Sequence, residues 1–99
     1  MDQATVKIMG RITARADTAG LLRQILRDLV GPSRGEAGCV GYELFQNQDN
    51  PVEFVTVEQW SNQAAADAHM ATAHVAAAIS KAGELLALPP LIHRFAPVA

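Results

Sequence analysis

The chain has 99 residues, 49% of them hydrophobic and 18% charged, with a formal net charge of -2. That is a globular composition with chain enough for one core, so residues 1–99 are read as a single domain. No basic field exists to hold a phosphate backbone, which argues against a nucleic-acid partner. No apolar run reaches the roughly 18 to 20 residues that span a bilayer, and the start "MDQATVK" lacks the hydrophobic stretch of a signal peptide. A single cysteine, Cys39, can make no internal disulfide. These features suit a cytoplasmic protein. A domain this small has a high surface-to-volume ratio, so its abundant apolar residues are expected to serve a homo-oligomer interface as well as a core.

The segment "ATVKIMGRITARA" alternates, with Val6, Ile8, Ile12 and Ala14 on one parity and charged or polar residues on the other. Period two predicts a strand packed on one face. Gly10 falls on the apolar side, where a missing side chain either leaves a gap or lets something approach the backbone. Asp17 and Thr18 are candidate N-caps for the next element. Leu21, Leu22, Ile25, Leu26, Leu29 and Val30 then form a helical stripe, and Gly31-Pro32 is expected to end it, with "SRGEAG" as loop.

Two strand-like runs follow, Cys39 to Gln46 and Glu53 to Trp60, separated by the turn residues "NQDNP". They predict an antiparallel hairpin, with Tyr42 sharing a face with Val40 and Leu44. The alanine-rich stretch from Ser61 to Leu88 predicts helix, capped by Ser61 or Asn62 and bent near "MAT", where Thr72 can cap a second segment. Pro89-Pro90 ends it, and "LIHRFAPV" reads as a last strand. The order β-α-β-β-α-β, with right-handed crossovers, gives a ferredoxin-like α+β sandwich of the dimeric α/β barrel type. Its second sheet face is bare, and another copy of the same sheet is its natural cover.

The second hairpin strand places Phe54, Thr56, Glu58 and Trp60 on one face. An acid beside a flat aromatic wall suits a pocket, although Trp60 is also an ordinary strand-end anchor and Glu58 could simply pair with Arg11 or Arg94. His69 and His74 are five residues apart, about 140° around a continuous helix, so they share a face only if the helix bends at Ala71-Thr72. The spacing misses the two-ligand pattern of metal helices, and no second ligand cluster is evident, so no metal is expected. One imidazole poised near neutral pH is a natural proton carrier. Cys39, without a neighbouring base, reads as a small buried residue rather than a nucleophile. Phosphate loops, nucleophile elbows and dinucleotide fingerprints are missing, so no cofactor is expected.

"EAGCVGYELFQNQDNPVEFVTVEQW" followed by "AAADAHMATAHV" resembles the antibiotic biosynthesis monooxygenase domain, including its quinol monooxygenase-like members. The resemblance runs from the Val6 strand through the Phe95 strand. It implies a dimeric ferredoxin-like fold with a pocket between sheet and helices, Trp60 on the pocket wall and His69 and His74 above it. Characterised members of such a family oxidise quinols or polycyclic phenols with dioxygen and no cofactor; others isomerise a phosphorylated sugar-like signal, and relatives degrade haem. Haem-degrading relatives carry an asparagine where this chain has Gly10, which argues against haem chemistry. The resemblance thus implies an enzyme acting on a small aromatic substrate and dioxygen. The candidate base is His74 or His69, oriented by Glu58 or a backbone group, with Trp60 and Phe54 stacking the ring and Tyr42 donating to a substrate oxygen. An isomerase of a small hydroxy-ketone, or a dimeric module that binds a small ligand without reacting, are the alternatives.

Overall fold

A computed structural model describes residues 5–99; Met1 to Ala4, which open the segments quoted above, lie outside the described residues. Strands β1 (Val6–Thr13), β2 (Cys39–Gln46), β3 (Glu53–Trp60) and β4 (Leu91–Phe95) form one sheet in the order β2-β3-β1-β4, all neighbours antiparallel. Helix α1 (Ala19–Arg34) joins β1 to β2, and the second crossover is made of two helices, α2 (Gln63–Met70) and α3 (Ala73–Ala82). This is the ferredoxin-like α+β architecture that the alternation and helical stripes predict.

The alternation of β3 sets which face is covered. Phe54, Thr56, Glu58 and Trp60 are all buried and the residues between them are not, so every second side chain points under the helices. Leu22 and Leu26 of α1 pack with Phe54 and Ala14 at one end of the sheet. Ile8, Tyr42, Trp60 and Ala66 form a second cluster at the other end. On the opposite face Met9, Phe45, Leu91 and Phe95 stay exposed beside half-buried Val55 and Val57. No helix of the described residues is long and apolar enough to cross a membrane.

Three local expectations are corrected. Helix α1 does not stop at Gly31-Pro32 but runs to Arg34. The proline sits at the exposed side of the last turn, where few carbonyls remain to be bonded, while fully buried Ser33 and a 2.9 Å bond from Arg34 Nε to the Tyr42 carbonyl hold that turn down. Val40 does not share the face of Tyr42: a bulge between Cys39 and Gly41 turns it out to solvent, 57% exposed. Thr18 precedes α1 but makes no side-chain cap; its hydroxyl donates instead to the Leu85 carbonyl at 2.7 Å and ties the start of α1 to the 3-10 turn that follows α3.

Candidate active site

The break between α2 and α3 builds the site. The Thr72 hydroxyl accepts from Val75 N–H and donates to the His69 carbonyl, so it ends one helix and starts the next within a single side chain. The bend at Ala71-Thr72 brings two rings together that a continuous helix would hold apart: the His69 and His74 centroids are 6.1 Å from one another. A carboxylate from outside the helices bridges them. Glu36 Oε2 lies 2.7 Å from His69 Nδ1 and 2.7 Å from His74 Nε2. A carboxylate only accepts, so both imidazoles donate to it, and in neutral His69 the lone pair is then on Nε2.

Gly38 is what lets Glu36 reach so far in. A Cβ there would run into the Ala65 Cβ of α2, so only glycine allows the turn before β2 to run this close beneath the helix. The Gly38 carbonyl accepts from Ser61 N–H at 2.8 Å and fixes the turn against the end of β3.

His69 Nε2 faces Glu58 Oε1 at 3.9 Å, too far for a hydrogen bond but near enough to place a negative charge beside a ring that would become positive. Glu58 is itself held by two donors, Trp60 Nε1 at 3.0 Å and Thr56 Oγ1 at 2.8 Å. Neither candidate arginine pairs with it: Arg11 pairs with Glu53 on the bare sheet face, and Arg94 donates to Gln63. Gly10 explains how the Thr56 hydroxyl fits, since a Cβ at Gly10 would stand 2.7 Å from it.

A cavity of about 610 Å³ opens from this cluster. Tyr42, Thr56, Glu58 and His69 supply its polar groups. The rest of the wall is apolar, from Ile8, Ile12 and Ile92 of the sheet, Leu26 and Leu29 of α1, Val75 and Ile79 of α3, and the Leu86–Pro90 segment. A greasy chamber with one convergent polar patch is the form small-molecule sites take. Burial, and then the nearby Glu58 carboxylate, push the Tyr42 phenol well above the ordinary tyrosine range, so it remains a proton donor. Burial and the Glu36 charge likewise push the Cys39 thiol up, which keeps it an unreactive thiol.

Of the six candidate residues, His69, Glu58 and Tyr42 line the cavity; Trp60, Phe54 and His74 do not. Trp60 is fully buried behind the site, its ring 4.6 Å from that of His69 and its indole N–H on Glu58. It props the polar groups rather than walling the chamber, because α2 covers the end of β3 through Ala65 and Ala66. Phe54 belongs to the core at the far end of the sheet. His74 lies on the far side of Glu36, its side chain 27% exposed against 4% for His69. Glu36 carries no local sequence signal, since it lies in a turn where no period marks a residue. Its carboxylate and the two imidazoles, with donor atoms all within 4.8 Å of one another, are also the one set of described residues that could hold a metal ion.

The fold and the site define the class, a ferredoxin-like domain enclosing an acid- and imidazole-tipped apolar pocket. Residues 5–81 match the antibiotic biosynthesis monooxygenase family model, and the chain belongs to that family. Rv0793 of Mycobacterium tuberculosis, which bears a provisional monooxygenase name, is 31% identical over 93 residues, covering 94% of this chain and 91% of that protein. Its solved structure superposes with a TM-score of 0.90 over 97% of both chains. PA3566 of Pseudomonas aeruginosa superposes at 0.92 with 32% identity, covering 100% of this chain and 99% of that one.

Proposed function

We propose that the protein is a cofactor-independent monooxygenase that oxidises a small quinol or phenol with dioxygen, His69 acting as the base. The observation that carries the reading is the free Nε2 of a buried imidazole, its tautomer set by Glu36, facing an apolar cavity. Triplet dioxygen does not react directly with a closed-shell phenol. A phenolate can pass it one electron, and the resulting radical pair joins carbon to oxygen as a hydroperoxide. Loss of water then leaves a carbonyl: a CH2 carbon of the keto tautomer and O2 give C=O and H2O, the substrate supplying all the electrons. The protein has to remove the hydroxyl proton, exclude water and hold the anion. His69 removes the proton, the isoleucines and leucines keep the chamber dry, and Tyr42 donates to a substrate oxygen. Trp60 acts through Glu58 and His69, not on the substrate, and Phe54 takes no part.

An isomerase of a phosphorylated substrate would need a cation in the chamber. None of Arg11, Arg15 and Arg94 lines it. We also read the protein as a cytoplasmic homodimer, closed through the bare sheet face that carries Met9, Phe45, Leu91 and Phe95. The test of the reaction is aerobic turnover of naphthols and naphthoquinols by metal-stripped protein. One oxygen molecule consumed per quinone formed from a naphthol, or per hydroxyquinone formed from a naphthoquinol, with water and no hydrogen peroxide released, is expected, and a fall of about 10²- to 10⁴-fold in His69→Ala. Equal rates in the two proteins would remove His69 from the chemistry, and ligand that binds without consuming oxygen would leave a binding module.

A further inference from the structure

We propose that His74 and Glu36 form the proton outlet of the site, carrying to solvent the proton that His69 takes inside the cavity and returning one later. The inference rests on the reading of His69 as the base. Taken alone, a proton on Nε2 of an imidazole beside a phenolate goes straight back, because nothing separates the pair. It would also add charge to a ring whose side chain is only 4% exposed.

The geometry removes both obstacles. His69 Nδ1, Glu36 Oε2 and His74 Nε2 are joined by two bonds of 2.7 Å, and exposure rises along them, from 4% to 13% to 27% of the side chain. With His74 starting as the imidazolium partner of Glu36, a proton arriving at His69 Nε2 is matched by one leaving His74 at Nδ1, the nitrogen not engaged with Glu36. The hydrogen on His69 Nδ1 shifts within its 2.7 Å bond onto Glu36 Oε2, the one on His74 Nε2 stays in place, and no heavy atom has to travel. The net charge of the three groups is the same before and after. The other ionisable groups facing His69 are Glu58 from β3 and Tyr42 from β2. Glu58 carries two donors and Tyr42 stays protonated, so neither offers a path outward. Water loss from the hydroperoxide needs a proton inside, and the same chain running backwards supplies it and resets the His69 tautomer and the His74 charge. The overall reaction releases no proton, which is the balance a reversible outlet needs.

The experiment follows exchange of the His69 Nδ1–H with solvent by NMR in ¹⁵N-labelled full-length protein, which requires no substrate. His74→Phe keeps the space filled with a ring that carries no proton, and it should slow that exchange and make it independent of imidazole buffer. In His74→Ala, added imidazole should restore both the exchange and the turnover, reversing a loss of about 10²-fold, at the low end of what positioned proton carriers contribute. Exchange that is unchanged in His74→Phe, or a His74→Ala protein that ignores imidazole, overturns the proposal. So does isolation of the protein with one equivalent of metal on the three groups, since the metal would occupy the lone pairs the chain uses. Wild-type protein showing His74-dependent exchange but no oxygenase turnover would leave the outlet standing and remove the reaction.

Discussion

Gly10→Ala tests how tightly the polar patch is built. The added Cβ would meet the Thr56 Oγ at 2.7 Å, closer than real Cβ contacts allow, whereas its next neighbour, Ile92 Cγ1 at 3.7 Å, is in ordinary contact. Thr56 therefore has to move, and its 2.8 Å bond to Glu58 Oε2 is the casualty. Hydrogen bonds to a charged acceptor contribute about 1.5–3 kcal/mol, and Glu58 is buried, so the substitution should destabilise by about 2–3 kcal/mol. In a Thr56→Ala background the obstruction is gone, and alanine should be favoured over glycine in a strand by about 0.5–1 kcal/mol. The double-mutant cycle thus carries a coupling of about 2.5–4 kcal/mol, read from urea unfolding of the four proteins. Equal costs of Gly10→Ala in both backgrounds would refute the reasoning, because the effect would then belong to the backbone and not to the Thr56 hydroxyl.

Three further outcomes are expected. Tyr42 is the only tyrosine, and its phenol is raised above the ordinary value of 10.0. Between those two values the unfolded chain has lost the proton and the folded chain keeps it, so stability should fall as pH rises above about 10. Tyrosinate absorbance should then appear only with unfolding, and Tyr42→Phe should lessen this alkaline dependence, leaving the smaller part that comes from the raised Cys39 thiol. Val57→Asp puts a charge in the centre of the bare sheet face and should convert a dimer to monomer in sedimentation experiments; if the sheet face is not the interface, the oligomeric state will not change. Ala78→Trp on the cavity wall should weaken binding of bicyclic phenols more than of phenol itself, in calorimetric titrations, because the chamber loses volume and not its polar patch.

Periodicity made the sheet legible. Alternation in β3 marks four inward residues, and all four are buried. The capping chemistry of Thr72 likewise marks the break that brings His69 and His74 together. Where a residue owes its place to the meeting of distant segments, local pattern is silent. Glu36 lies in a turn, and what carries it under the helices is a glycine contact with α2 across 27 residues of sequence, Gly38 against Ala65. The same silence covers Trp60. Strand parity shows that it points inward, but only the docking of α2 decides that it stands behind the cavity and not on its wall. Phe54 has the parity of a site residue and sits two strand pairs from the chemistry, among the side chains that anchor α1. The bulge at Val40 escapes for another reason: one extra residue reverses the parity of everything before it, and "CVGY" fits either register.

The state of a phenolic ligand bound without oxygen tests the account most directly. A naphthol whose anion absorbs at longer wavelength should bind anaerobically to the wild-type protein as the naphtholate at neutral pH, and to His69→Gln as the neutral naphthol. Identical spectra of the neutral form in both proteins would contradict it, because no proton would then have been taken where His69 Nε2 meets the cavity.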